Sequence, residues 1–221
     1  MSRWEIRIAT LIGAIVVGMA PPTTTAAEQP GLAIATLETL PVKGRAPKTG
    51  YSRDQFGQAW ADVNRNGCDT RNDMLKRDLT VVVYKGGTRN CVVLSGTLLD
   101  RYSGETINFI RGNVTSMEVQ IDHVVALSNA WQTGAFKLTA DQRRALSNDP
   151  LNLFAVKGRL NSQKGDGDAA TWLPPLKSFR CSYVAQQIAV KAKYSLWVTA
   201  PEKAAIVSIL AKCPTQKVPV S

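Results

Sequence analysis

The spacing of apolar residues changes period several times along the chain. Tyr51, Phe56, Trp60 and Val63 recur at near-helical intervals with Ser52 in front as an N-cap, which predicts a helix over 51–63. Asn66-Gly67 is a turn signal, and 69–78 is a short helix. Leu79 to Tyr84 is rich in β-branched residues, Gly86-Gly87 turns the chain, and Cys91 to Leu94 is again β-like, a hairpin signature. Thr106 to Ile110 is a short strand. Met117 to Leu127 alternates in part and reads as a strand that ends near His123. Between Ser128 and Asp149 lie two helical turns, around Ala130-Trp131 and over 139–146, before Asp149-Pro150 breaks the pattern. Leu151 to Val156 is a strand, Gly158 a turn, and Arg159 to Lys164 a short helix ended by Gly165-Asp166-Gly167-Asp168. Two amphipathic helices follow, over 183–198 and 202–211. The mixed stretch from Gly31 to Pro47 is an extended arm or a short helix. Strands and helices in this order predict an α+β fold with a β-hairpin, flanking helices and a ββα unit at about 117–166.

The start of the chain reads as an address. Arg3 and Arg7 precede Ile8 to Ala20, an almost wholly apolar run of 13 residues. That is short for a membrane span and suits the core of a signal peptide. Cleavage is expected after Ala27, with Ala20 as the alternative. This leaves a basic arm over 28–50, carrying Lys43, Arg45 and Lys48, and a single domain over 51–221. No apolar tail precedes the final Lys-Val-Pro-Val-Ser, so a secreted chain without stable membrane association is expected. Export makes the four cysteines intelligible, because disulfides persist in oxidising compartments. Four cysteines allow three pairings. Cys68–Cys91 and Cys181–Cys213 are preferred, since each pair is local. Cys181 and Cys213 also sit at the two ends of the last helix pair, which antiparallel packing would bring together.

Composition narrows the classes. Of 221 residues, 44% are hydrophobic and 20% charged, which excludes global disorder, and no heptads or Gly-X-Y repeats are present. Lys and Arg exceed Asp and Glu by ten, and removal of the leader would leave +9. Such a charge favours polyanions, by salt-dependent attraction to a phosphate backbone. Helix-turn-helix, zinc-finger and RRM signatures are missing, so sequence-specific recognition is not expected. Trp131 and Trp172 read as core residues, Arg143-Arg144 as a solvated helix face, and Gly165-Asp166-Gly167-Asp168 as a helix-stop turn without EF-hand spacing.

The chain has one histidine, His123, preceded by Asp122 at the end of a β-branched strand. Asn152 opens the next strand, and Asn161 lies on the short helix beyond it. A ββα unit can bring Asp122, His123 and Asn161 together. Phosphodiester hydrolysis needs an activated water, a Lewis acid and cover for the phosphate charge. A neutral imidazole can take a proton from water near neutral pH. A carboxylate and an amide carbonyl are hard oxygen ligands suited to Mg²⁺ or Mn²⁺.

Asp122-His123-Val124-Val125, then Asn152, then Asn161 with Lys164, resembles the motif of the HNH, or His-Me finger, nucleases. More closely, Ile121 to Ser128, Ala130-Trp131-Gln132, Asn148 to Leu153, Asn161 to Asp166 and Gly67 to Asp73 resemble secreted HNH proteins related to the C-terminal domain of GmrSD-type restriction nucleases. The resemblance spans roughly 51–213. It implies a ββα-metal core and a metal-dependent endonuclease; the chain is expected to be a monomer that cleaves DNA with little sequence preference. His123 would be the general base and Asn152 would orient the loop and the ring. Asp122 and Asn161 would ligate one divalent metal, Mg²⁺ or else Mn²⁺. Asn161 stands where many HNH proteins carry His. Arg159 and Lys164 are phosphate-contact candidates, and Arg71 is a further substrate contact unless it pairs with Asp73. Two alternatives stay open: a ribonuclease using the same site, and a secreted, non-catalytic polyanion-binding protein on the same fold.

Overall fold

A computed structural model describes Met1 and residues 31–219. The expected signal peptide and its cleavage point lie outside the described residues. Among the described residues, seven α-helices and five strands follow in mixed order, an α+β fold. Helix α1 is Ala33–Thr39, α2 Thr70–Asp78, α3 Leu127–Gln132, α4 Ala140–Ser147, α5 Gly158–Lys164, α6 Arg180–Lys193 and α7 Ala200–Leu210. The strands are β1 Leu79–Tyr84, β2 Val93–Leu99, β3 Thr106–Ile110, β4 Val119–His123 and β5 Leu153–Lys157. The first three form an antiparallel sheet in sequential order, and β4 pairs antiparallel with β5.

The β4–β5 ribbon is the middle layer. Side chains alternate across a strand. Val119, Ile121, Leu153 and Ala155 join Met74 and Leu75 of α2 and Leu98 and Phe109 of the larger sheet in one apolar cluster. Phe154 and Val156 point the other way, into a cluster with Leu37 of α1, Leu160 of α5, Tyr183 and Ile188 of α6, and Ile206 of α7. With both faces covered, β5 reads as continuous apolar residues from Leu153 to Val156, while β4 alternates, with Gln120 and Asp122 between Val119, Ile121 and His123. A third cluster gathers Phe56, Trp131, Leu146 and Leu196 beside the ribbon's end.

Helix ends follow their local chemistry. Asp69 caps α2 by accepting from the backbone N–H of Asn72. Thr139 with Gln142, and Thr199 with Glu202, form reciprocal capping boxes on α4 and α7. Gly158 joins β5 to α5. An added Cβ there would lie 1.9 Å from the Met117 carbonyl oxygen, so only glycine lets the helix start this close to the strand entry.

Both expected disulfides are present, Cys68–Cys91 and Cys181–Cys213. Several expected boundaries are corrected. The helix expected over 51–63 is only a 3₁₀ turn at Arg53–Phe56: Ser52 makes no side-chain cap, and Gly57 and Trp60 take positive φ of 75° and 57°. The second hairpin strand begins at Val93, not Cys91, and runs on to Leu99. The last helix pair starts earlier, and α6 stops at Lys193 because Ser195 turns the chain with φ 51°. Leu196, Trp197 and Val198 then run as buried, non-helical chain, with Val198 bridged to Val42.

The basic arm is woven into the domain. Ala33 and Leu37 are fully buried, Arg45 pairs with Asp168 at 2.6 Å, and Lys48 pairs with Asp166 at 2.6 Å. The turn after α5 is therefore held by arm cations. Arg143, read as solvated, is instead half-buried and donates to the carbonyls of Leu138 and Gln55.

Candidate active site

His123 ends β4 opposite Leu153. Its Nε2 lies 2.9 Å from the carbonyl oxygen of Ser147, in the last turn of α4, where helix carbonyls lack intrahelical partners. A carbonyl can only accept, so Nε2 carries the proton and Nδ1 keeps the lone pair. Burial lowers the imidazole pKa to about 4; the Ser147 carbonyl opposes this, while nearby Arg53 and Lys164 add to it. His123 is therefore neutral throughout the neutral range. Its ring is stacked with Trp60, centroids 5.9 Å apart and planes 16° from parallel. Trp60 reaches this position with a left-handed backbone, a conformation costly outside glycine and enriched at functional sites. Arg53, Asp54, Phe56, Trp60, His123 and Ser147 line a common pocket.

Asp122 faces the other side of the ribbon. Its Oδ1 accepts from Lys164 Nζ at 2.9 Å, and its Oδ2 accepts from the Tyr102 hydroxyl at 2.5 Å. Lys164 Nζ also donates to the His123 carbonyl oxygen at 2.7 Å. The side chain of Lys164 is 0% exposed and that of Asp122 is 4% exposed. Burial raises the Asp122 carboxyl above its ordinary value, while Lys164 and Tyr102 pull it back. Burial, then the Asp122 charge, pushes Tyr102 well above the usual phenol range, so the hydroxyl stays a donor.

Asn152 is fully buried and clamps the loop after His123. Its Oδ1 accepts from the Val125 N–H at 2.8 Å, its Nδ2 donates to Val125 and Leu146 carbonyls, and its own carbonyl accepts from Val124 N–H. It fixes the loop and the end of α4, and thereby the Ser147 carbonyl that holds the ring. Asn161, on α5, donates from Nδ2 to Gln120 Oε1 at 2.8 Å.

The structure thus groups the expected residues differently from the sequence. His123 and Asn152 share one side through α4 and the loop. Asp122 joins Lys164 and Tyr102 on the other, and Asn161 is held by Gln120. The divalent metal implied by Asp122 and Asn161 does not fit this donor set, because both Asp122 oxygens are already engaged, one by a buried ammonium. Among the described residues, no group of three or more His, Cys, Asp or Glu side chains could hold a metal ion. Lys164 is corrected from a phosphate contact to a core residue, since a side chain without exposed surface cannot meet a phosphate. Arg159 is exposed on the first turn of α5. Arg71 sits on α2 beside Arg111 and Asp69; burial lowers its pKa and the Arg111 charge adds to this. It is not among the lining residues of the His123 pocket, and Asp73 accepts from Asn66 at 3.0 Å.

Sequence reasoning missed Arg53, Asp54, Trp60 and Ser147. They reach the pocket from distant segments, and Trp60 carried only an apolar signal that looked like helix periodicity.

A family model for the C-terminal domain of GmrSD restriction endonucleases matches residues 69–209. An "uncharacterized secreted protein" of Arthroderma benhamiae is 38% identical over 210 residues, covering 93% of this chain and 98% of that protein. No solved structure matches. The matched span runs from the cap of α2, through the strand bearing Asp122 and His123, to α7, so it contains the ββα unit and the two side-chain groups at its strand end. This ties the chain to a nuclease-related function with nucleic acid as the partner: it belongs to the family of the C-terminal domain of GmrSD restriction endonucleases.

Proposed function

We propose that the protein is an exported HNH-type endonuclease that hydrolyses DNA phosphodiester bonds with little sequence preference. The observation that carries this is the state of His123. The Ser147 carbonyl holds the proton on Nε2, which leaves Nδ1 as a free base in an imidazole that stays neutral at neutral pH. General-base catalysis asks for an unprotonated nitrogen on a held ring, and burial supplies it with a weaker base than a free imidazole. Asn152 positions the loop, and Arg53 supplies positive charge at the pocket. The basic balance of the chain supports phosphate-backbone binding. The secreted relative, the two disulfides and the apolar N-terminal run support export.

The test is digestion of plasmid DNA and of RNA by purified protein, in Mg²⁺, in Mn²⁺ and in EDTA, beside His123→Ala. Cleavage of plasmid is expected, with a loss of about 10²–10⁴-fold in the variant. Near-normal cleavage by His123→Ala removes His123 from the mechanism. Preferential loss of RNA substrate makes the protein a ribonuclease.

The closed Asp122–Lys164 pair favours one second reading, a secreted polyanion-binding protein without catalysis. Binding of DNA without cleavage under every metal condition would select it.

A further inference from the structure

We infer that the cation of the Asp122 site is part of the chain: the Lys164 ammonium, held between Asp122 and the main chain of His123, closes the carboxylate that a divalent metal would need. Two hard oxygens of the kind a metal seeks, Asp122 Oδ1 and the His123 carbonyl, meet the Lys164 ammonium at 2.9 and 2.7 Å. The remaining carboxylate oxygen is closed by the Tyr102 hydroxyl at 2.5 Å. The ammonium is sealed from water, so its charge acts on Asp122 and on the His123 backbone with little screening.

Geometry fixes the source of this cation. Lys164 is the last residue of α5, and Gly158 lets that helix begin against the entry to β4. The helix therefore brings Lys164 over the strand end that carries Asp122 and His123. Asn161, one turn earlier, is directed to Gln120. A metal on Asp122 would have to expel a buried ammonium from its carboxylate, leaving that charge without a partner in the core, which is strongly unfavourable. Asp122 is thus a positioning residue: through Lys164 it fixes the backbone of the residue that bears the base.

The test reads metal binding and lysine accessibility in the intact protein. Because cleavage is not the readout, failure here is distinct from failure of the nuclease reading, on which the assignment of the site rests. Mn²⁺ is titrated calorimetrically into chelator-stripped parent and Asp122→Asn proteins. The two are expected to give the same isotherm. Saturable Mn²⁺ binding in the parent that disappears in Asp122→Asn would overturn the inference. In parallel, native parent protein is treated with an amine acetylating reagent, with and without saturating Mn²⁺, and mapped by mass spectrometry. Lys48, half-exposed, reports that the reagent works, and Lys191, buried against Glu202, reports that the fold stays closed. Lys164 is expected to remain unmodified in both conditions. Labelling of Lys164 only when Mn²⁺ is present would show the ammonium displaced by metal and would overturn the inference even if Asp122→Asn does not fold.

Discussion

The imidazole of His123 links the site to the stability of the fold. Its pKa is lowered from 6.5 to about 4, with burial as the largest cause. Between those values the unfolded chain binds a proton that the folded chain refuses. Stability from this group is therefore complete above pH 6.5 and is lost as the pH falls towards 4, by about 3 kcal/mol in all. Urea unfolding of the parent across that window is expected to show a steep acid decline. His123→Gln, which keeps a donor for the Ser147 carbonyl, should flatten it; an unchanged slope would assign the acid loss to other groups. Asn152 gives a second prediction at this scale. Its amide satisfies backbone groups of Val125 and Leu146 that no water reaches. Asn152→Ala leaves a buried donor and acceptors unpaired, at about 1–3 kcal/mol each before relaxation. Denaturant unfolding should show a loss of at least about 1–3 kcal/mol, the cost of one such group, together with weakened cleavage. A variant as stable as the parent would contradict the clamp.

At the scale of elements, the ββα unit was legible because its signals are local. Val and Ile before His123, Asp149-Pro150 as a break, and Gly158 before a short polar helix each act over a few residues. The same holds for α2, where Asp69 caps, and for both disulfides, of which Cys68–Cys91 encloses α2 and β1 and Cys181–Cys213 encloses the last helix pair. The segment over 51–63 was not legible. Phe56 and Trp60 are apolar because each packs on a different partner, Trp131 and His123, and a helical period arose without a helix. The facing of Asp122 and His123 follows from strand alternation, yet what each meets depends on Tyr102, Ser147 and Lys164, which only the tertiary fold brings in. Cys181–Cys213 joins the start of α6 to the chain just past α7, a sequence separation of 32. The chain-entropy account assigns a loop of that size about 3–4 kcal/mol. Cys181→Ser with Cys213→Ser should lower stability by that order in urea unfolding while the site on β4 and α4 stays intact. Equal stability would mean that α6–α7 packing alone holds the pair.

At the scale of the whole molecule, the proposed nuclease function makes charge the means of holding nucleic acid. The sequence carries ten more cationic than anionic side chains, and internal pairing leaves that difference unchanged while deciding which cations face outward. Arg45, Lys48 and Lys164 are paired with Asp168, Asp166 and Asp122, and Arg143 binds backbone carbonyls. The cations left for phosphates include Arg53 at the pocket and Arg159 on the exposed turn of α5. Binding that runs through phosphates weakens as salt rises and ignores sequence, because phosphates carry no base information. A titration of duplex DNA with cleavage-deficient His123→Ala protein should therefore give a steep log–log salt dependence, equal for unrelated sequences. Adding Arg53→Ala or Arg159→Ala should lower that slope by about 0.9 for each phosphate that the protein no longer neutralises on B-DNA. Lys164→Met separates the two kinds of lysine: removal of a buried partner of Asp122 should reduce stability and leave the salt slope as it was. A slope that flattens in Lys164→Met but not in Arg53→Ala or Arg159→Ala would place the buried lysine on the DNA, against its burial. A strong preference for one duplex over its scrambled counterpart would show base readout instead of charge.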